Sequence, residues 1–209
     1  MPYLVYSSRQ QQPWAEVTDR ELMIGIRSGD ESAFDELIRR KTGPLIQLVT
    51  RILPDREEAR DIVQIVFLRV WEKRQRFDER WSPNTWLYRI AVNLAIDQLR
   101  ARKVRDRSSR PLSTHLRGLS GGHGRGLAEL EHREVAAIFE RLAVGLTEKQ
   151  RLAFLLVAVE GLSSEEAGQI LACKASTVRN HLFAARRFLR RELSRLYPEY
   201  LPGRSDPRS

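Results

Sequence analysis

The sequence predicts an all-α protein, two small helical domains joined by a flexible linker, the second of them a helix-turn-helix domain. Three observations predict it. Apolar residues recur at spacings of three and four along most of the chain, the period of a helix with one buried face. No alternating apolar run bounded by turn pairs reads as a strand. The helical period stops over residues 105–126, "RDRSSRPLSTHLRGLSGGHGRG", which is rich in Ser, Gly and Arg with few apolar anchors. Such a stretch buries too little surface to offset its ordering entropy and reads as a linker. It separates domains at 18–104 and 127–196.

In chain order, residues 1–17 are polar and aperiodic, a loose arm. Thr18 and Glu21 form a capping box, with Leu22, Ile24 and Ile26 as the apolar face behind it. Gly29-Asp30 ends that helix. Phe34, Leu37 and Ile38 begin the next, Gly43-Pro44 interrupts or bends it, and Leu45, Leu48, Val49 and Ile52 continue to Pro54. A long helix is predicted from Asp55 to Arg76. A proline turn then leads into "WSPNTWLYRIAVNLAIDQLRARKVR", Trp81–Arg105. Its core side chains are Trp86, Leu87 and Ile90. Arg89, Asn93 and Asp97 lie along it, and Arg100, Arg102, Lys103 and Arg105 make a basic end.

Beyond the linker, helices are predicted at about Leu130–Leu142 and Glu148–Val159. A second capping box, Ser163 with Glu166, opens a short helix facing inward through Ala167, Ile170 and Leu171. "ACKA" is a tight connection, and Gly168 sits where two helices must approach closely. The next helix opens near Thr177 and buries Val178, Leu182, Ala185 and Leu189. Cys173 fills the small core, the usual fate of a free cysteine. "YPEYLPGRSDPRS" is a frayed tail.

The formal charge of +9 is unevenly spread. Residues 15–68 hold eight basic and eleven acidic side chains, 69–110 hold twelve and five, and 111–209 hold fifteen and eleven. Concentrated positive charge points to a polyanionic partner. One cysteine excludes an internal disulfide and fits a reducing compartment. Four histidines (115, 123, 132 and 181) lack metal-ligand spacing. No His/Asp/Glu constellation suits a metal-dependent nuclease. No apolar run approaches the ~20 residues needed to span a bilayer. The opening "MPYLVYSSRQQQPW" has no signal-peptide pattern. The expectation is a cytoplasmic protein without catalysis, cofactor or metal. In the helix-turn-helix, the outward face carries Arg179, Asn180, Phe183 and Arg187. Arg and Asn suit bidentate contacts to guanine and adenine edges, while Arg186, Arg187, Arg190 and Arg191 suit phosphates.

Four segments, "GDESAFDELIRR", "DIVQIVFLRVW", "NTWLYRIAVNLAIDQLR" and "LTEKQRLAFLLVAVEGLSSEEAGQIL…STVRNHLFAARRFLR", give the chain a family resemblance. In order and spacing it resembles bacterial RNA polymerase sigma factors of the extracytoplasmic-function group, which keep regions 2 and 4 of the sigma-70 family. The resemblance covers roughly 18–104 and 130–193. It implies a dissociable initiation factor that binds core polymerase, recognises −10 and −35 promoter elements and promotes strand opening. It implies contacts to the β′ clamp helices and the β flap, an anti-sigma factor as regulator, and nucleoid association within the holoenzyme. Asp61, Gln64, Leu68 and Trp71 match the clamp-binding helix, although Ile65 stands where the family usually has an acid. Phe77 through Pro83 match the loop that captures a flipped −10 base, with Phe77 and Trp81 as stacking groups. Trp81 and Pro83 depart from the common loop pattern. Arg89 and Asn93 match positions at the upstream duplex edge, and Arg100 serves the backbone. Thr177, Arg179, Asn180, Phe183 and Arg187 match or adjoin −35 contacts, while His181 and Ala184 replace commonly basic residues. An autonomous helix-turn-helix regulator leaves Gln64, Trp71 and the stacking loop unexplained. A decoy for an inhibitor has no need of a basic recognition helix.

Overall fold

The computed structural model describes residue 14 and residues 16–53, 55–108 and 142–197, side chains at 103 and 105–108 excepted. All regular structure among them is helical. The chain divides into two compact units, Met1–Arg110 and Pro111–Ser209.

The first unit comprises α1 (Asp19–Arg27), α2 (Glu31–Thr50), α3 (Arg56–Glu72), a 3-10 turn at Arg74–Arg76 and α4 (Pro83–Ser108). Local chemistry starts each helix. Thr18 and Glu21 exchange side chain to backbone hydrogen bonds. The Asp30 and Asp55 carboxylates accept from first-turn N–H groups of α2 and α3. The Ser82 hydroxyl accepts from the Thr85 N–H at 3.0 Å ahead of α4. Each cap satisfies donors that a first turn leaves without helical partners. α1 and α3 pack on α2, and α4 packs on both α3 and α2, around buried Leu22, Leu37, Leu48, Val66, Val70 and Leu87.

Several expectations are corrected. Met23 is buried and Ile24 is exposed, because at 100° per residue Ile24 lies nearly opposite Ile26. α2 runs unbroken through Pro44; the ring removes one hydrogen-bond donor, and buried Leu45, Leu48 and Val49 hold the helix beyond it. The long third helix ends at Glu72, where Lys73 leaves helical geometry (φ −100, ψ 11). α4 extends to Ser108, past the boundary set at 104, since Arg and Lys are good helix formers.

Of the arm expected over 1–17, residues 1–13 and 15 lie outside the described residues, and Trp14 is engaged by the helices. The Trp14 indole N–H donates to Ser32 Oγ at 2.9 Å, and a Cβ on Gly25 would lie 3.0 Å from Trp14 Cη2. Any side chain at Gly25 would press on the indole, which would have to give by a few tenths of an ångström. Arg40 donates to the Trp14 and Val17 carbonyls, each at 2.7 Å, and also to the Glu36 carboxylate at 2.6 Å. Glu36 is 1% exposed. Hydrogen bonds from Arg39, then Arg40, hold its carboxyl down at about 2, against an ordinary 4.5. Its folded pKa is depressed, so its stabilisation is fully present above the ordinary value and is lost as pH falls through about 2.

The second unit contains α5 (Glu148–Phe154), which continues as a π-helical turn at Leu155–Val159, then α6 (Ser164–Ile170) and α7 (Ala175–Leu196). The helix expected as regular over 148–159 is therefore α-helical only to Phe154. Capping boxes open α5 (Thr147, Gln150) and α6 (Ser163, Glu166). Both helices pack on α7, where Ala143, Leu146 and Ala185 join Phe154, Phe188 and Leu189. A Cβ on Gly168 would meet the Cys173 carbonyl oxygen at 2.7 Å, which is the close approach that excludes any side chain there. Ala172 takes φ 52 while the Cys173 N–H bonds the Gly168 carbonyl at 2.9 Å, the left-handed C-terminal stop that glycine usually supplies. α7 opens at Ala175, two residues before Thr177. Leu171, Cys173 and Leu189 are half-buried rather than buried. The helix expected over 130–142 lies outside the described residues except for its last, and the linker from 109 onward and the tail beyond 197 lie outside them altogether.

Candidate nucleic-acid and protein-binding surfaces

α3 turns Ile62, Val63, Val66, Phe67 and Val70 inward. Its outer face carries Asp61, Gln64 and Leu68, all exposed, at spacings of three and four. Leu68 is 64% exposed and Ile65 beside it 38%. Trp71, on the same stripe, is half-buried: its ring centroid lies 5.0 Å from that of Phe34, and the Arg74 guanidinium sits 4.4 Å over it. An apolar strip flanked by Asp61 and Gln64, with one aromatic pinned at its end, suits a protein partner.

Between the 3-10 turn and α4, the loop is tied down along its length. Arg80 donates to Asp78 Oδ2 from Nε at 2.9 Å and from Nη2 at 2.6 Å, with Nε also 3.1 Å from Oδ1, and these hydrogen bonds hold the Asp78 carboxyl down at about 2. Glu79 bonds Arg27 of α1 at 2.9 Å, and Gln75 donates to the Arg27 carbonyl at 2.6 Å. The Trp81 N–H closes a turn on the Asp78 carbonyl at 2.9 Å. Phe77, expected to stack on a base, is 4% exposed and packs edge-on against Trp86, with centroids 5.4 Å apart. It belongs to the core because it is the residue that anchors the loop's start. Trp86 and Ile90 are half-buried, and Leu87 is buried. Trp81 is half-buried, with the Arg89 guanidinium 4.9 Å from its ring centroid. Along α4, Asn93, Asp97 and Arg100 are exposed, and Arg102 reaches Glu58 at the start of α3 at 3.7 Å.

On α7, Arg179, Asn180, Phe183 and Arg187 are exposed, with Thr177 half-buried in the first turn. Phe183 is 69% exposed, a large apolar side chain placed in water. Arg179 pairs with Glu165 of α6 at 3.3 Å. Arg186 and Arg190 are exposed. Arg191 is engaged by Glu192 at 3.2 Å and lies over Phe188.

Sequence reasoning missed the Asp78–Arg80 clasp, the Glu165–Arg179 pair and the Trp81–Arg89 contact. The clasp had a signal in its i, i+2 charge spacing. The other two join residues whose nearness depends on how loop and helix fold together. Among the described residues no group of three or more His, Cys, Asp or Glu is placed to hold a metal, and no helix is long and apolar enough to cross a membrane.

Residues 37–105 match Sigma-70 region 2, and residues 136–189 match Sigma-70, region 4. The chain is 31% identical to the RNA polymerase sigma-H factor of Pseudomonas aeruginosa over 186 residues, 87% of this chain and 96% of the relative. It is 33% identical to the ECF RNA polymerase sigma-E factor of Escherichia coli K12, over 82% of this chain and 92% of that one. Among solved structures, CnrH in complex with the cytosolic domain of CnrY is similar at a TM-score of 0.62 and 25% identity, covering 85% of this chain and 97% of CnrH. The sigma factor RpoE of Bartonella quintana, solved with the anti-sigma factor NepR, shares the fold at a TM-score of 0.64 and 22% identity, over 78% of this chain and 98% of that one.

Proposed function

Because the chain belongs to the extracytoplasmic-function group of RNA polymerase sigma-70 factors, we propose that three of its surfaces divide the work of initiation. Sigma factors are initiation factors rather than enzymes, and this one directs polymerase to promoters. In our reading, Asp61, Gln64, Leu68 and Trp71 on α3 seat against the β′ clamp helices. The loop ahead of α4 takes an unstacked −10 base against Trp81, while Arg89, Asn93 and Arg100 follow the duplex edge and its phosphates. Thr177, Arg179, Asn180, Phe183 and Arg187 of α7 read the −35 element in the major groove, and the second unit docks on the β flap. Control by an anti-sigma factor, a cytoplasmic location and nucleoid association within the holoenzyme complete the proposal and rest on membership of the group. The domain roles follow: 18–104 for polymerase and −10 contacts, 127–196 for −35 contacts.

The observation that carries this reading is Trp81, a half-exposed aromatic in a loop tied at Asp78, Glu79 and Ser82, with Asn93 exposed on the helix that follows. Base stacking on an aromatic contributes ~1–3 kcal/mol. Trp81→Ala should therefore reduce promoter opening by about one to two decades, read by permanganate reactivity of unpaired thymines near −10. A premade bubble should restore most activity, since its strands are already parted. Loss of duplex docking in the same measure, or no rescue by the bubble, would overturn the assignment.

A further inference from the structure

Trp81 and Arg89 sit eight positions apart in the chain but in contact, the guanidinium lying 4.9 Å from the indole centroid. Both side chains are half-buried. The rest of the loop leaves Trp81 little freedom to wander. Its own N–H is bonded to Asp78, Asp78 is clasped by Arg80, and Ser82 is committed to the start of α4. With Phe77 in the core, Trp81 is the loop aromatic that still has ring surface to offer. A ring has two faces, and Arg89 occupies one of them.

We propose that Arg89 is a positioning residue whose guanidinium backs one face of the Trp81 indole, so that an unstacked promoter base enters on the opposite face of a ring already set in place. This rests on the reading that Trp81 receives a base, and adds which group sets its orientation. The physical reason is the cost of ordering. A tryptophan on a loop loses rotamer freedom when a base docks, and a partner that fixes the ring beforehand removes that cost from the binding step. A guanidinium suits the task because it is planar and weakly hydrated and stacks on an aromatic face, whereas an ammonium is a compact, strongly hydrated point charge. Arg89 thereby acts through Trp81, a role separate from neutralising phosphate.

The test uses holoenzyme and a fork template from a promoter it transcribes, with the non-template −10 segment single-stranded. Each overhang nucleotide is replaced in turn by an abasic one. For the wild type, one position should show a large ratio of intact to abasic affinity, marking the captured base. Arg89→Lys, which keeps the charge and loses the plane, should shrink that ratio by about two- to fivefold, with the thermal melt of the variant confirming its fold. Arg89→Ala should shrink it at least as far. If Arg89→Lys weakens intact and abasic forks equally, Arg89 acts at the duplex edge alone, not through Trp81, and the proposal is wrong. If Trp81→Ala collapses the ratio while Arg89→Lys and Arg89→Ala leave it at the wild-type value, base capture stands and positioning by Arg89 falls. If Trp81→Ala also leaves the ratio unchanged, the base-capture reading beneath both has failed.

Discussion

The loop ahead of α4 and the outer face of α7 present their side chains in opposite ways. In the loop, Asp78 is held by Arg80, Glu79 by Arg27, Ser82 by Thr85 and Trp81 by Arg89, over a buried Phe77. On α7, Asn180, Phe183 and Arg187 project from a regular helix, and Arg179 is tethered by one ion pair between two well-exposed side chains. A surface ion pair of that kind contributes ~1 kcal/mol at most. The contrast matches the two kinds of recognition proposed for these surfaces. Taking a base out of its stack costs a few kcal/mol, so the group that receives it gains from being set in advance. Reading an intact major groove requires side chains that reach base edges from a rigid helix, and long projecting residues do that without a prior pocket.

Substitutions test that contrast, and the largest effect is expected in the loop's foundation. Phe77→Ala removes a buried ring that packs on Trp86 and should cost ~3–5 kcal/mol of stability. Denaturant unfolding followed by tryptophan fluorescence would register it. An unchanged midpoint with a defect in strand opening alone would return Phe77 to the role of a stacking group and weaken the contrast.

On α7 the reverse is expected. Asn180→Ala should leave the unfolding curve where it was and remove ~1–3 kcal/mol of discrimination at a single −35 base pair. Arg190→Ala should instead weaken binding evenly across sequences and lower the salt slope by about one contact. Competition among single-base promoter variants at two salt concentrations separates the two. A base-specific loss from Arg190→Ala would mean α7 enters the groove on another face.

The smallest effect concerns the turn that aims α7. Ala172 holds a left-handed conformation, φ 52, which disfavours a residue with a Cβ by roughly 1–2 kcal/mol, partly offset by the extra backbone entropy of glycine. Ala172→Gly should thus raise stability by about 0.5–1 kcal/mol and leave −35 selectivity unaltered. A loss of stability would show that the alanine methyl makes a packing contribution larger than the strain.

Much of this molecule is local and was therefore legible in the sequence. The capping boxes at Thr18 and Ser163 join groups three residues apart, so their chemistry is written in the chain. The outward placing of Asp61, Gln64 and Leu68 follows from the 3.6-residue period alone, as does that of Arg179, Asn180 and Phe183. Gly168 announced a close approach because a lone glycine inside a helix has few other uses. The same local rules, loosely applied, put Ile24 inside and Met23 nowhere, an error of angle rather than of principle.

Tertiary structure alone decided which polar and aromatic groups meet across the fold. An aromatic in a loop reads the same whether it anchors that loop or faces its partner. Phe77 is core and Trp81 is not because Trp86 happens to lie behind one and Arg89 beside the other. Trp14 reads as part of a loose arm because it has no periodic neighbours, yet Ser32, Gly25 and Arg40 together hold this residue on α1 and α2. Glu36 pairs with Arg39 and Arg40 of its own helix, as the spacing allows, but that its carboxylate is buried is decided by what packs around it. In each case the deciding partner is remote in sequence, or the burial is, and neither periodicity nor composition carries distance through space.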